Sequence, residues 1–282
     1  MSVRHRIRDG LPPTVRGWVV TARGRLRRLR TDRAVTRVLG TAHRRSRDRV
    51  ELDVTWACNL RCFNCNRSCE QAPTGEGMTV DQVRRFVDES LGRGKAWERI
   101  RVLGGEPTLH PRFDELLAEL GRYHAAFPGT VIELATHGHG ERVRAVLARL
   151  PAWLRVEDSG KEGPEQPFHT FNVAPIDVPA YRRADFRNGC AITSTCGIGL
   201  TPYGWYPCAV AGSIDRIVGL GLGRKELPDD DDDLHAELAA FCRLCGHFKR
   251  EADPPVTGPV QSPTWVRAYA RWRLRPPRHG RY

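Results

Sequence analysis

The sequence predicts an α/β fold built on parallel strands, and three observations carry that expectation. From Arg49 onward, short β-prone apolar runs alternate with stretches of helical periodicity, the pattern of strands joined by crossover helices. The repeat of about 25 to 40 residues leaves room for five or six strands, short of a closed eightfold barrel. At 282 residues the chain can bury a sizeable core, as one large domain or one and a half.

Before Arg49, Val15, Trp18, Val19, Ala22, Leu26 and Leu29 recur at helical spacing with arginines between them, after a Pro12-Pro13 start signal. Residues 1–48 therefore read as a basic amphipathic arm. Either it packs its apolar face on the barrel with the arginines in solvent, or it meets a membrane surface or an acidic partner. The first strand is the run Val50 to Trp56. Thr79 N-caps a helix to about Leu91, with Val80, Val83, Phe86, Val87 and Leu91 on one face. ERIRVLG (98–104) is the next strand, Phe113 to Tyr123 a helix, VIELAT (131–136) a strand, and Arg142 to Leu150 a helix stopped by Pro151. LRVED (154–158) and HTFNVAP (169–175) complete the strands of a unit over residues 49–185. Asp229 to Asp233 reads as a solvated loop ending in a helix N-cap before Leu234.

The net charge of +12 is unevenly distributed. Residues 1–50 hold 15 Arg against 3 Asp, and Thr264 to Tyr282 hold six Arg and no acid, so residues 51–263 carry 24 basic and 30 acidic groups. A middle that is mildly acidic argues against a nucleic-acid groove across it. The chain has no long apolar run and its N-terminal apolar stretch is cut by Arg16, Arg23 and Arg25, so neither a transmembrane segment nor a secretory signal is expected and the protein reads as cytoplasmic. Nine cysteines in such a chain are better metal ligands than disulfides.

Cys58, Cys62 and Cys65 form C-x3-C-x2-C after the first strand, and Gly104, Gly105, Glu106 and Pro107 follow the second. Three thiolates on one tight loop can hold three irons of a cubane and leave the fourth open; a zinc site would want a fourth, closing ligand, and the nearest candidate is Cys69. The two motifs together resemble the radical S-adenosylmethionine (SAM) superfamily. That resemblance implies an open partial (β/α)6-type barrel, a SAM-binding [4Fe-4S] cluster on Cys58, Cys62 and Cys65, and a SAM amino group received at Gly104 to Pro107. It also implies an external electron donor such as flavodoxin or ferredoxin. The run THGHG stands where members of that superfamily have a Thr-Asn-Gly segment near the SAM ribose, which brings in Thr136, although His137 takes the place of the Asn.

A second group, Cys190, Cys196, Cys208, Cys242 and Cys245, falls in the last third. Its hairpin and C-x2-C turn resemble the auxiliary-cluster region of twitch and SPASM radical SAM enzymes, implying a small domain at 186–255 with a second, auxiliary [4Fe-4S] cluster, followed by a basic tail at 256–282. Five cysteines exceed the four that a cubane needs. A twitch-like set uses Cys190, Cys208, Cys242 and Cys245; a SPASM-like set makes Cys196 a ligand; a closed zinc site remains the plain alternative.

The expected chemistry is hydrogen-atom abstraction by a 5′-deoxyadenosyl radical from a small polar metabolite or natural-product intermediate. A peptide substrate is the second reading, and a non-catalytic Fe–S or zinc protein that binds nucleic acid is the third. Cys69 reads as an idle thiol or a redox-active one near the first loop. Lys161, Asp177 and Tyr181 are candidate bases, none assigned a catalytic role.

Overall fold

The computed structural model describes residues 22, 24–165, 170–249 and 258–282. Val15, Trp18, Val19 and His169 lie outside the described residues. Residues 24–30 are helical and are followed by α1 (Arg33–Leu39), β1 (Arg49–Thr55), α2 (Val80–Gly92), β2 (Arg99–Gly104), α3 (Phe113–Ala126), β3 (Val131–Thr136), α4 (Glu141–Leu147) and β4 (Leu154–Asp158). The chain continues through short 3-10 turns to α5 (Ala191–Thr195), β5 (Ile198–Thr201), β6 (Gly204–Tyr206), α6 (Ala209–Val218), α7 (His235–Cys242) and α8 (Pro263–Leu274).

The six strands form one open sheet in the order β4-β3-β2-β1-β5-β6. All neighbours are parallel except the β5–β6 hairpin. The α/β class and the open, partial barrel read from the sequence are thus correct. Thr79 caps α2 as expected, its hydroxyl accepting from Gln82 N while the Gln82 side chain accepts from Thr79 N, the reciprocal pair that satisfies two free amides of a helix start.

One expectation fails. Residues 170–174 are not a strand; Gly246 N donates to Phe171 O and Ser262 N donates to Asn172 O, so this backbone is satisfied by loops and α8 and needs no sheet neighbour. The strand beyond β4 is absent from the described residues, and the fifth parallel strand arrives from residues 198–201 on the other side of β1. Within the expected C-terminal segment, β5 and β6 therefore extend the same sheet. Likewise, residues 263–274 of the basic tail are a helix, held by buried Trp265, Ala268 and Tyr269. The acidic run is partly ion-paired, through Arg93–Asp229, Lys95–Asp230 and Arg47–Asp233, and α7 starts at Leu234 in left-handed geometry without a side-chain cap.

Strand alternation divides the sheet into two chemically distinct faces. Val50, Leu52, Val54, Ile100, Val102, Ile132 and Leu134 pack with Val83, Phe86, Leu116 and Leu120 of α2 and α3. On the opposite face Arg67 Nε meets Asp53 at 3.1 Å, and Arg101 meets Glu51 at 3.4 Å, Glu133 at 3.0 Å and Glu157. No helix among the described residues is long and apolar enough to cross a membrane.

Trp205 joins the hairpin to the first core, packing beside Phe86, Trp97 and Tyr282 and fully buried. Trp205→Ala should cost about 3–5 kcal/mol, measured as a lowered midpoint in urea; a loss of under 1 kcal/mol would show that β6 contributes little to the fold.

Candidate metal and cofactor centre

Parallel strands bring their C-terminal ends to one edge, and Thr55, Gly104 and Thr136 end β1, β2 and β3 there. The Cys58–Cys65 loop leaves that edge immediately after β1. Asn64 and Ser68 hold positive φ values of 55° and 53°, the left-handed geometry that folds the loop back tightly. Leu60 N approaches Cys58 Sγ at 3.4 Å, and burial pushes the Cys58 thiol up to about 12.

The loop is anchored from α6 and α8. Arg216, 2% exposed, donates from Nη1 to Ala72 O at 2.8 Å and from Nη2 to the carbonyls of Arg67 at 2.9 Å and Ser68 at 3.2 Å. Ser68 Oγ and Tyr269 Oη lie 2.8 Å apart.

The glycine pair approaches the protein's own chain. Gly105 N donates to Thr55 O at 2.7 Å and Glu106 N to Ala57 O at 2.8 Å. A Cβ on Gly104, whose φ is 147°, would overlap the Thr55 carbonyl oxygen, and one on Gly105 would overlap that of Ala57. These glycines let the second motif lie flat against the entry to the cysteine loop.

Glu106 is fully buried and receives Thr108 N, the Thr108 hydroxyl, His137 N at 3.0 Å, and the Thr136 hydroxyl at 2.9 Å from each carboxylate oxygen. Thr136 and Glu106, singled out separately in the sequence, are thus one hydrogen-bonded unit. His137 Nδ1 accepts from His139 N at 2.9 Å, which leaves the proton on Nε2, 3.2 Å from Glu106 Oε2 but out of line for a hydrogen bond. Burial lowers the His137 pKa, against the opposing pull of Glu106. Pro107 opens a 3-10 turn beyond Glu106.

The second cysteine group divides. Cys190 precedes α5, Cys208 precedes α6, Cys242 ends α7 and Cys245 follows in its turn. Burial raises the Cys208 thiol pKa well above its usual value, and the neighbouring Cys190 and Cys245 raise it further. Cys242 is raised in the same way, with Cys190, Cys245 and Cys208 as its neighbours. Cys196 stands apart: burial pushes it up to about 11, and the groups acting on it are Glu51, Thr195, Arg101 and Arg99.

None of the nine cysteines is in a disulfide. Among the described residues, no three Cys, His, Asp or Glu side chains converge closely enough to hold a single metal ion. A cubane takes one thiolate per iron, and the loop after β1 carries three of the thiols, Cys58, Cys62 and Cys65.

Sequence reasoning left Cys69 unassigned, as an idle thiol or a redox-active one near the first loop. Its thiol is buried and hydrogen-bonded to Cys65, which pulls Cys65 down to about 6 and pushes Cys69 well up; the four-residue step between them was the available signal. Asp177 caps α8 by accepting from Thr264 N at 2.9 Å and the Thr264 hydroxyl at 2.7 Å. Tyr181 is buried with Leu238 and Phe248, and Lys161 N donates to His137 O. A surface cavity of about 480 Å³ is lined by Arg33, Arg182, Arg187 and Arg243, and one of about 400 Å³ by Trp97 and Phe127; neither is lined by a cysteine or by the glycine-pair loop.

The model of the radical SAM superfamily matches residues 53–154, which include Cys58, Cys62, Cys65, Gly104 to Pro107 and Thr136. These residues form a radical SAM domain. The GTP 3′,8-cyclase of Chlorobaculum tepidum is 41% identical over 85 residues, 30% of this chain and 24% of that protein. The GTP 3′,8-cyclase of Stenotrophomonas maltophilia is 34% identical over 108 residues, 38% of this chain and 30% of that protein. The matches thus span under a third of those relatives' length. The crystal structure of BtrN in complex with AdoMet and 2-DOIA superposes with a TM-score of 0.42 at 13% identity, over 72% of this chain and 94% of that one, a likeness too loose to support further argument.

The contacts inside the radical SAM domain generate a direct expectation. Gly105→Ala should displace the cysteine loop and lower the iron taken up on anaerobic reconstitution; full iron content in a folded variant would show that the loop tolerates the shift.

Proposed function

We propose that the chain is a radical SAM enzyme that abstracts a hydrogen atom from a small polar metabolite. The observation that carries this reading is the three-thiol loop lying against the glycine pair at the C-terminal edge of the sheet. A [4Fe-4S] cluster bound there would supply the one-electron reductive cleavage of SAM, to methionine and a 5′-deoxyadenosyl radical. Cys58, Cys62 and Cys65 would hold it. The backbone of Gly104 to Pro107 and the Thr136–Glu106 unit would position SAM, with the carboxylate held in place by four donor groups. The electron would come from an external donor such as flavodoxin or ferredoxin, and nine cysteines that form no disulfide suit the reducing cytoplasm.

A second [4Fe-4S] cluster on Cys190, Cys208, Cys242 and Cys245, a twitch-like auxiliary set, would accept an electron from the substrate radical or coordinate the substrate. The mutual influence of these four thiols, with Cys196 outside it, supports that set. The charged sheet face formed by Glu51, Asp53, Arg101 and Glu133 supports a polar substrate. The relatives are GTP 3′,8-cyclases by name, and their similarity is confined to a minor part of this chain, so it does not carry GTP over as the substrate.

Cys58, Cys62 and Cys65 changed together to Ala should abolish 5′-deoxyadenosine formation from SAM and dithionite while the auxiliary cluster persists; continued formation would disprove the assignment. In that background Cys196→Ser should keep the remaining EPR signal of the reduced protein, and Cys208→Ser should lose it. Equal loss in both would favour the SPASM-like set.

A further inference from the structure

The helix at residues 24–30 is packed with its polar side inward. Gly24, Arg27 and, just past its end, Thr31 are its buried residues, and three- and four-residue steps put them on one face. Arg27 docks that face, donating from Nε to Phe248 O at 3.0 Å and from Nη2 to Gly189 O at 3.2 Å. Ala22, Leu26 and Leu29 fall on the opposite side and are exposed, Leu26 by 65% and Leu29 by 61%. In α1, Val38 and Leu39 are exposed by 81% and 64%. No described residue covers these side chains, and in the sequence Val15, Trp18 and Val19 continue the spacing of Ala22, Leu26 and Leu29.

An aliphatic stripe on a helix ordinarily faces the core. This one faces out, bordered by exposed Arg25 and, in α1, by exposed Arg33 and Arg37, within a segment of 15 Arg and 3 Asp. We propose that this face docks on an anionic lipid bilayer, with the leucines entering the boundary between headgroups and acyl chains and the arginines meeting lipid phosphates. Aliphatic side chains spread over two short helices and separated by long cations suit an interface that accepts snorkelling side chains at any lateral position. A protein partner would instead be expected to engage a compact cluster with aromatic anchors, whereas the described exposed apolar residues of this face, Ala22, Leu26, Leu29, Val38 and Leu39, are all aliphatic. The proposal is independent of the cluster assignment.

The test is flotation of the full chain with vesicles of phosphatidylglycerol and phosphatidylcholine, against vesicles of phosphatidylcholine alone, at low and high salt. Flotation with the anionic vesicles is expected, weakened on the order of ten-fold by Leu26→Gln with Leu29→Gln, and weakened also by high salt and by Arg25→Gln with Arg37→Gln. Val38→Gln with Leu39→Gln, on the separate helix, should weaken it too. Unchanged circular dichroism and iron content in these variants would show that the fold is intact. Absence of flotation with anionic vesicles would overturn the proposal, as would equal binding by the leucine variant. A dimer in light scattering that the leucine variant converts to monomer would also overturn it, assigning the face to a second copy of the chain.

Discussion

A buried guanidinium holds the two halves of this protein together. Arg216 sits near the end of α6 and spends two of its nitrogens on three carbonyl oxygens of the segment that follows Cys65, with its charge over the rings of Trp56 and Trp272. Burying an arginine costs several kcal/mol unless its donors are satisfied. Here no carboxylate ion-pairs with it among the described residues, and burial lowers its pKa while the nearby Cys69 and Cys65 thiols oppose that shift. A positive charge so placed stabilises thiolates in the loop. It also makes that loop dependent on a helix whose N-cap is Cys208, so the two cysteine groups are parts of one packed unit.

The charged face of the sheet shows the same dependence. Asp53 is fully buried and its acid is pushed up to about 6 by burial, against the pull of Arg67. Arg67 stands two residues after Cys65 and reaches both Asp53 and Glu51, and Arg101 continues the chain of charges to Glu133 and Glu157. An aliphatic layer would stabilise the sheet at least as well. A fixed polar layer beneath the cysteine loop instead orients that loop and limits what can lie against it. Glu106 does the same from β2, taking donors from the β2 turn and from the end of β3.

Much of this architecture was readable residue by residue. The Thr79 cap of α2, the β-prone apolar run of β1 and the stop at Pro151 are local features, and they set element ends within a few residues. The segment at 169–175 misled because Phe171 is buried like a strand residue while its backbone bonds to residues far along the chain. Leu26 and Leu29 left the choice open: their periodicity is helical, but which face docks is decided by carbonyls of Gly189 and Phe248 that accept from Arg27.

The sequence by itself determined the α/β class, the three-thiol loop and the glycine pair, because each depends on interactions within a few residues or on a strict spacing. Only the tertiary structure decided that β5 joins the free side of β1, that Glu106 and Thr136 share hydrogen bonds, and that Cys190, Cys208, Cys242 and Cys245 influence one another while Glu51, Arg101 and Arg99 act on Cys196. Those outcomes turn on contacts between residues tens to hundreds of positions apart, where the closure of long segments is set by packing of the whole core, and no local pattern along the chain encodes that choice.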